Sequence, residues 1–73
     1  MRKMEMLTTI ATKGFERIAK AEKKLNGMAI ASATAMEMYS IIIEIKDADE
    51  YREAWNYYEN FQKEAKKAWK KIA

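Results

Sequence analysis

Apolar residues recur along the first third of the chain in steps of three and four. Met4, Leu7, Ala11, Gly14, Ile18, Ala21 and Leu25 follow a 3-4-3-4-3-4 spacing, which places all seven on one face of an α-helix. Ile10 and Phe15 widen the stripe. Ala11, Gly14 and Ala21 are small, so a neighbouring helix can come close there. Gly14 costs roughly 1 kcal/mol against Ala in a helix interior. Close packing is one reason to find it there, and simple tolerance is the other. Asn26-Gly27 is the strongest stop signal in the chain, because both residues accept the backbone that ends helices. It predicts an antiparallel hairpin, with a kinked continuous helix as the alternative.

The next segment is apolar on most sides. Ala31, Met38, Ile41 and Ile45 form one face, Ala29, Met36, Tyr39 and Ile43 a second, and Met28, Ala35 and Ile42 a third. Ile30, Ala33, Glu37, Ser40 and Glu44 leave only a mixed polar strip. A helix of this kind is expected to be buried nearly all round. Ile41-Ile42-Ile43 has strand propensity, but a lone strand has nothing to pair with. After it, Asp47 is positioned as an N-cap, with Glu50 at the capping-box position three residues on. Asp49, Glu50 and Glu53 then favour the start of a helix, where the dipole is positive.

A third stripe follows. Tyr51, Ala54, Tyr58, Phe61, Ala65, Ala68 and Ile72 repeat the 3-4 alternation, flanked by Trp55, Gln62 and Trp69. Tyr57, Asn56 and Asn60 fall on the face away from it. These patterns predict an all-α fold, an up-down-up three-helix bundle. It forms a single domain over residues 1–73, with helices at about 4–25, 28–46 and 48–72. The middle helix carries more apolar surface than two neighbours cover, so a homodimer is as well supported as a monomer.

Length and composition narrow the chemistry. At 73 residues the chain holds one core, with a total stability of ~4–10 kcal/mol. There is no Cys and no His, which removes disulfides, thiol nucleophiles and the commonest acid/base group and metal ligand. With two Gly and no Pro, a glycine-rich phosphate loop is excluded. Glu37 and Glu44 share a helix strip, but a di-metal bundle would pair such residues with Glu-x-x-His motifs. The calcium-loop reading of Asp47, Asp49 and Glu50 fails, with Arg52 at the sixth position and Tyr58 at the twelfth. Ser32 and Ser40 have no histidine base. No enzyme activity, no metal and no cofactor are expected. The stretch from Met28 to Ile45 has 13 apolar residues of 18 but includes two glutamates, which argues against a membrane span. No apolar segment follows Met1-Arg2-Lys3, so the expected location is the cytoplasm.

Charge is segregated. Residues 1–33 carry seven Lys/Arg and three Glu, residues 34–60 two against seven acids, and residues 61–73 five Lys and one Glu. In an up-down-up bundle the ends of the first and third helices adjoin. Lys20, Lys23 and Lys24 are then gathered with Lys66, Lys67, Lys70 and Lys71, and Glu44, Asp47, Asp49, Glu50 and Glu53 at the opposite pole. Lys13, Arg17, Lys20 and Lys24 fall on one face of the first helix by their 4-3-4 spacing. Solubility and helix dipoles alone account for such charges in many proteins.

The segment Lys66-Lys67-Ala68-Trp69-Lys70-Lys71 interleaves an aromatic with cations, a pattern that suits an acidic protein surface, phosphates or a membrane surface. The reading that follows is a small non-enzymatic interaction protein that binds and modulates or inhibits a larger acidic macromolecule. Virus-encoded inhibitors of host systems share its size and class. Its predicted contacts are Lys13, Arg17, Lys20, Lys24, Lys63, Lys66, Lys67, Trp69, Lys70 and Lys71. A protein partner is favoured over nucleic acid, because Arg, the usual base reader, occurs only three times. The second helix is also too apolar to be displayed as a recognition helix. Nonspecific nucleic-acid binding is the alternative, and head-to-tail self-assembly through opposite poles is the third.

Overall fold

The computed structural model describes residues 2–73. It is an up-down-up bundle of three α-helices: α1 (Lys3–Lys20), α2 (Lys24–Ile42) and α3 (Ala48–Lys70). Each helix packs on the other two.

The first turn is not where the glycine signal places it. α1 stops at Lys20, and Ala21 (φ −68°, ψ 134°) and Lys23 (φ −119°, ψ 143°) are extended. No described residue has a positive φ. Asn26-Gly27 therefore lies within the first turn of α2, where the Gly27 N–H donates to the Lys23 carbonyl at 3.1 Å. Gly27 serves packing instead. A Cβ built on it would lie 2.9 Å from Trp69 Cβ and 2.9 Å from Ile72 Cδ1, so its hydrogen lets α3 close on α2. Leu25, expected on the stripe of the first helix, begins α2 and is 73% exposed. Lys24 likewise leaves the α1 face on which its spacing placed it.

α2 ends at Ile42, earlier than expected. The Glu44 and Ile45 amides bond back to the Ile41 and Ile42 carbonyls at 3.1 and 3.0 Å. These tighter bonds satisfy helix-end carbonyls and turn Ile45 inward, where it is buried. Asp47 caps α3 as expected: its Oδ2 accepts the Glu50 N–H at 2.9 Å. Such a cap stabilises by about 1 kcal/mol. α3 ends at Lys70, with Ile72 half-buried beyond it.

The core runs along the bundle axis. Leu7, Ile18, Met38 and Ile42 are its largest fully buried side chains, joined by Phe61, Ala54 and Ala65. Phe15 of α1 tilts against Phe61 with ring centroids 4.9 Å apart. Gly14 proves to be a contact point rather than a tolerated residue: a Cβ there would lie 2.6 Å from Thr34 Cγ2 and 2.7 Å from Thr34 Oγ1. Thr34 is buried, and its hydroxyl donates to the Ile30 carbonyl at 2.7 Å. The buried polar group is thereby satisfied within α2.

α2 is not buried nearly all round. Ala35, Met38 and Ile42 face the core, but Ala29, Met36, Tyr39 and Ile43 face solvent. Two neighbours cover only two sides of a cylinder. Among the described residues, no helix is long and apolar enough to cross a membrane.

Candidate functional site

The topology gathers cations at one end. Lys20 closes α1, Lys23 and Lys24 open α2, and Lys66, Lys67, Lys70 and Lys71 lie in the last turns of α3 or just past it. Residues 13–33 and 61–73 together carry ten Lys/Arg against three Glu. All ten of these cationic side chains are exposed, so their field reaches solvent.

The predicted contacts do not form one continuous patch. Lys63, Lys66 and Lys70, spaced three and four apart, share a side of α3. Lys66 and Trp69 line a groove of about 240 Å³ between α2 and α3, with Met28, Ala31, Ala35 and Ala65 among its walls. Small alanines facing across the two helices leave this space open. Lys67 and Lys71 continue the same solvent-facing side of α3 further round from the groove, and Lys67 pairs with Glu64 at 3.2 Å. Lys13 and Arg17 line a separate groove between α1 and α2, beside Glu37. The exposed face of α2 therefore separates two basic flanks.

Trp69 is half-buried and packs on the core, its backbone pressed against Gly27. Its side chain forms one wall of the groove. Tyr57, read from spacing as outward, is half-buried against the core.

Sequence reasoning missed an aromatic cluster near the other end. Trp55 sits at the centre of an edge-to-face group, with ring centroids 5.8 Å from Tyr39, 6.1 Å from Tyr51 and 5.2 Å from Tyr58. The 4-3 spacing of Tyr51, Trp55 and Tyr58 contains the signal on α3, but Tyr39 joins only through the packing of α2 on α3.

The acidic pole is weaker than the charge map implied. Because α1 begins there, Arg2 and Lys3 enter it, along with Lys46 and Arg52. Lys3 reaches Glu44 at 3.4 Å, and Arg52 lies 3.8 Å from Asp49. Both pairs are exposed, so each contributes little. Among the described residues no group of three or more acidic side chains is placed to hold a metal ion.

The fold and these surfaces define a small three-helix bundle with a basic end, an apolar groove at that end and an apolar helix face. Comparison with protein-family models, curated proteins and solved structures finds no match.

Proposed function

We propose that the protein is a non-enzymatic interaction module whose basic end docks on an acidic surface of a larger protein and modulates or inhibits it. The observation that carries this reading is the α2–α3 groove, where Lys66 stands on the rim and Trp69 forms a wall. A groove of this size accepts one apolar side chain, while Lys66, Lys63 and Lys70 pair with carboxylates around it. Cations speed the encounter and orient it. A buried aromatic contact then supplies much of the affinity, since aromatic anchors dominate protein interfaces.

The packing of Trp69 favours protein over nucleic acid. Base stacking on single strands calls for an accessible aromatic face, and Trp69 is half-buried against the core. Self-assembly by stacking opposite poles draws less support, because Arg2, Lys3, Lys46 and Arg52 dilute the acidic pole.

The test is capture of partners from lysate by the tagged protein, with and without nuclease. A single protein should be retained at stoichiometric yield after nuclease treatment. Lys66→Glu with Lys70→Glu should lower its capture at least tenfold, the loss expected for two reversed charges at about 1 kcal/mol each. The pair Lys67→Glu and Lys71→Glu, which do not line the groove, should have a smaller effect. Loss of the catch on nuclease treatment would transfer the reading to nucleic acid. Equal effects from the two pairs would remove the groove from it.

A further inference from the structure

The solvent face of α2 is itself a seam. Leu25, Ala29, Ser32, Met36, Tyr39 and Ile43 follow a 4-3-4-3-4 spacing, and all six are exposed. This is the heptad pattern by which helices pack side by side, yet α1 and α3 leave most of it open; α3 reaches it where Trp55 meets Tyr39 and where Ser32 borders the groove. Leu25 and Met36 are each 73% exposed and Ile43 57%. A row of this length reads as an interaction surface rather than as scattered surface apolars.

The seam fits itself. Its spacing is the same in both directions about the level of residue 34. A second copy laid antiparallel sets Leu25 against Ile43, Ala29 against Tyr39 and Ser32 against Met36. Two of the three layers match a small residue to a large one, the condition for interdigitation. A twofold axis repeats each layer, so one face serves both copies.

Charge selects the same register. Gly14 packs on Thr34, so Arg17, one turn further along α1, lies level with residue 31 of the antiparallel α2. That level faces Glu37 of the second copy. Glu37 makes no ion pair within its own chain among the described residues. Lys24 likewise falls level with Glu44 of the second copy. At larger scale the basic end of one bundle lies along the more acidic end of the other, whereas a parallel pairing would set the two basic ends together.

We infer that α2 pairs with α2 of a second copy of this chain in an antiparallel, twofold-symmetric dimer. The seam spans roughly 27 Å at 1.5 Å per residue. A single-helix contact is far smaller than an obligate dimer interface, so the pairing is reversible and dissociates in the micromolar range. The two basic ends then point in opposite directions, each with its groove between α2 and α3.

Sedimentation equilibrium from low micromolar to near-millimolar protein tests the pairing. The mass should rise from one chain to two, and added salt should weaken the association. Met36→Glu, and independently Ser32→Glu in the same layer, should raise the dissociation constant by on the order of tenfold or more. Far-UV circular dichroism should show both variants fully helical. Orientation is read from spin labels, since the chain has no native cysteine. In the dimer, labels on Ala33→Cys should lie close together, and labels on Asn26→Cys roughly 20 Å farther apart along the axis. A monomer at every concentration, a dimer indifferent to both glutamate variants, or equally short separations at the two label sites would overturn the inference. The first of these results would leave the seam to a different protein.

Discussion

Phe61→Ala is expected to leave much of the chain unfolded at room temperature. Phe61 is 2% exposed and lies at the junction of α3 with α1, its ring 4.9 Å from that of Phe15. Removing a buried phenylalanine costs ~3–5 kcal/mol through lost transfer energy and the cavity left behind. A chain of this length holds only ~4–10 kcal/mol in total, so the loss is comparable to the whole. Urea titration followed by far-UV circular dichroism measures it. Phe61→Leu, which keeps most of the volume, should cost less than about 1.5 kcal/mol. If the alanine variant unfolds within 1 kcal/mol of the parent, by the same scale, the Phe15–Phe61 contact is not the centre of the core.

Gly14→Ala should also destabilise, against the sign that helix propensity gives. Propensity alone favours Ala by roughly 1 kcal/mol. The added methyl, however, meets Thr34 Cγ2 at 2.6 Å and Thr34 Cβ at 3.1 Å. Thr34 is β-branched, buried and hydrogen-bonded to Ile30, so it has no free rotamer to retreat into. Overpacking of this kind costs about 1–3 kcal/mol, which leaves a net loss of up to about 2 kcal/mol. Removing the obstacle tests the cause. Thr34→Ala in the Gly14→Ala background should recover most of the loss, and the double-mutant cycle should show a coupling above about 0.5 kcal/mol. Additive effects would mean that the two helices do not meet at this point.

The helices and the up-down-up order were legible because three stripes of 3-4 spacing each need a buried partner. The Asp47 cap was legible because its chemistry is local: one carboxylate and one amide three residues on. The first turn was not. Ala21, Glu22 and Lys23 are all good helix formers, and nothing in their side chains marks a break; the packing of α2 against α1 imposes it. Gly27 misled for the same reason, since glycine serves close approach as readily as it serves turns. The exposed side of α2 was half legible. Its apolar surplus was visible in the pattern, but which face stayed uncovered depended on where α1 and α3 sit. The basic end followed from topology and charge. Its division into two flanks did not, because that depends on how each helix is rotated about its axis.

The brevity of the two connections sets the tempo of assembly. Three residues join α1 to α2, and five join α2 to α3, so each helix meets its neighbour after a short chain search. Bundles dominated by such nearby contacts fold within microseconds to milliseconds. With no proline in the chain, no prolyl isomerisation is available to add a phase of tens of seconds. Stopped-flow refolding of dilute protein should therefore follow a single fast exponential. At micromolar concentrations, collisions between chains are slower than this collapse, so the groove and the α2 seam are complete before either meets anything else.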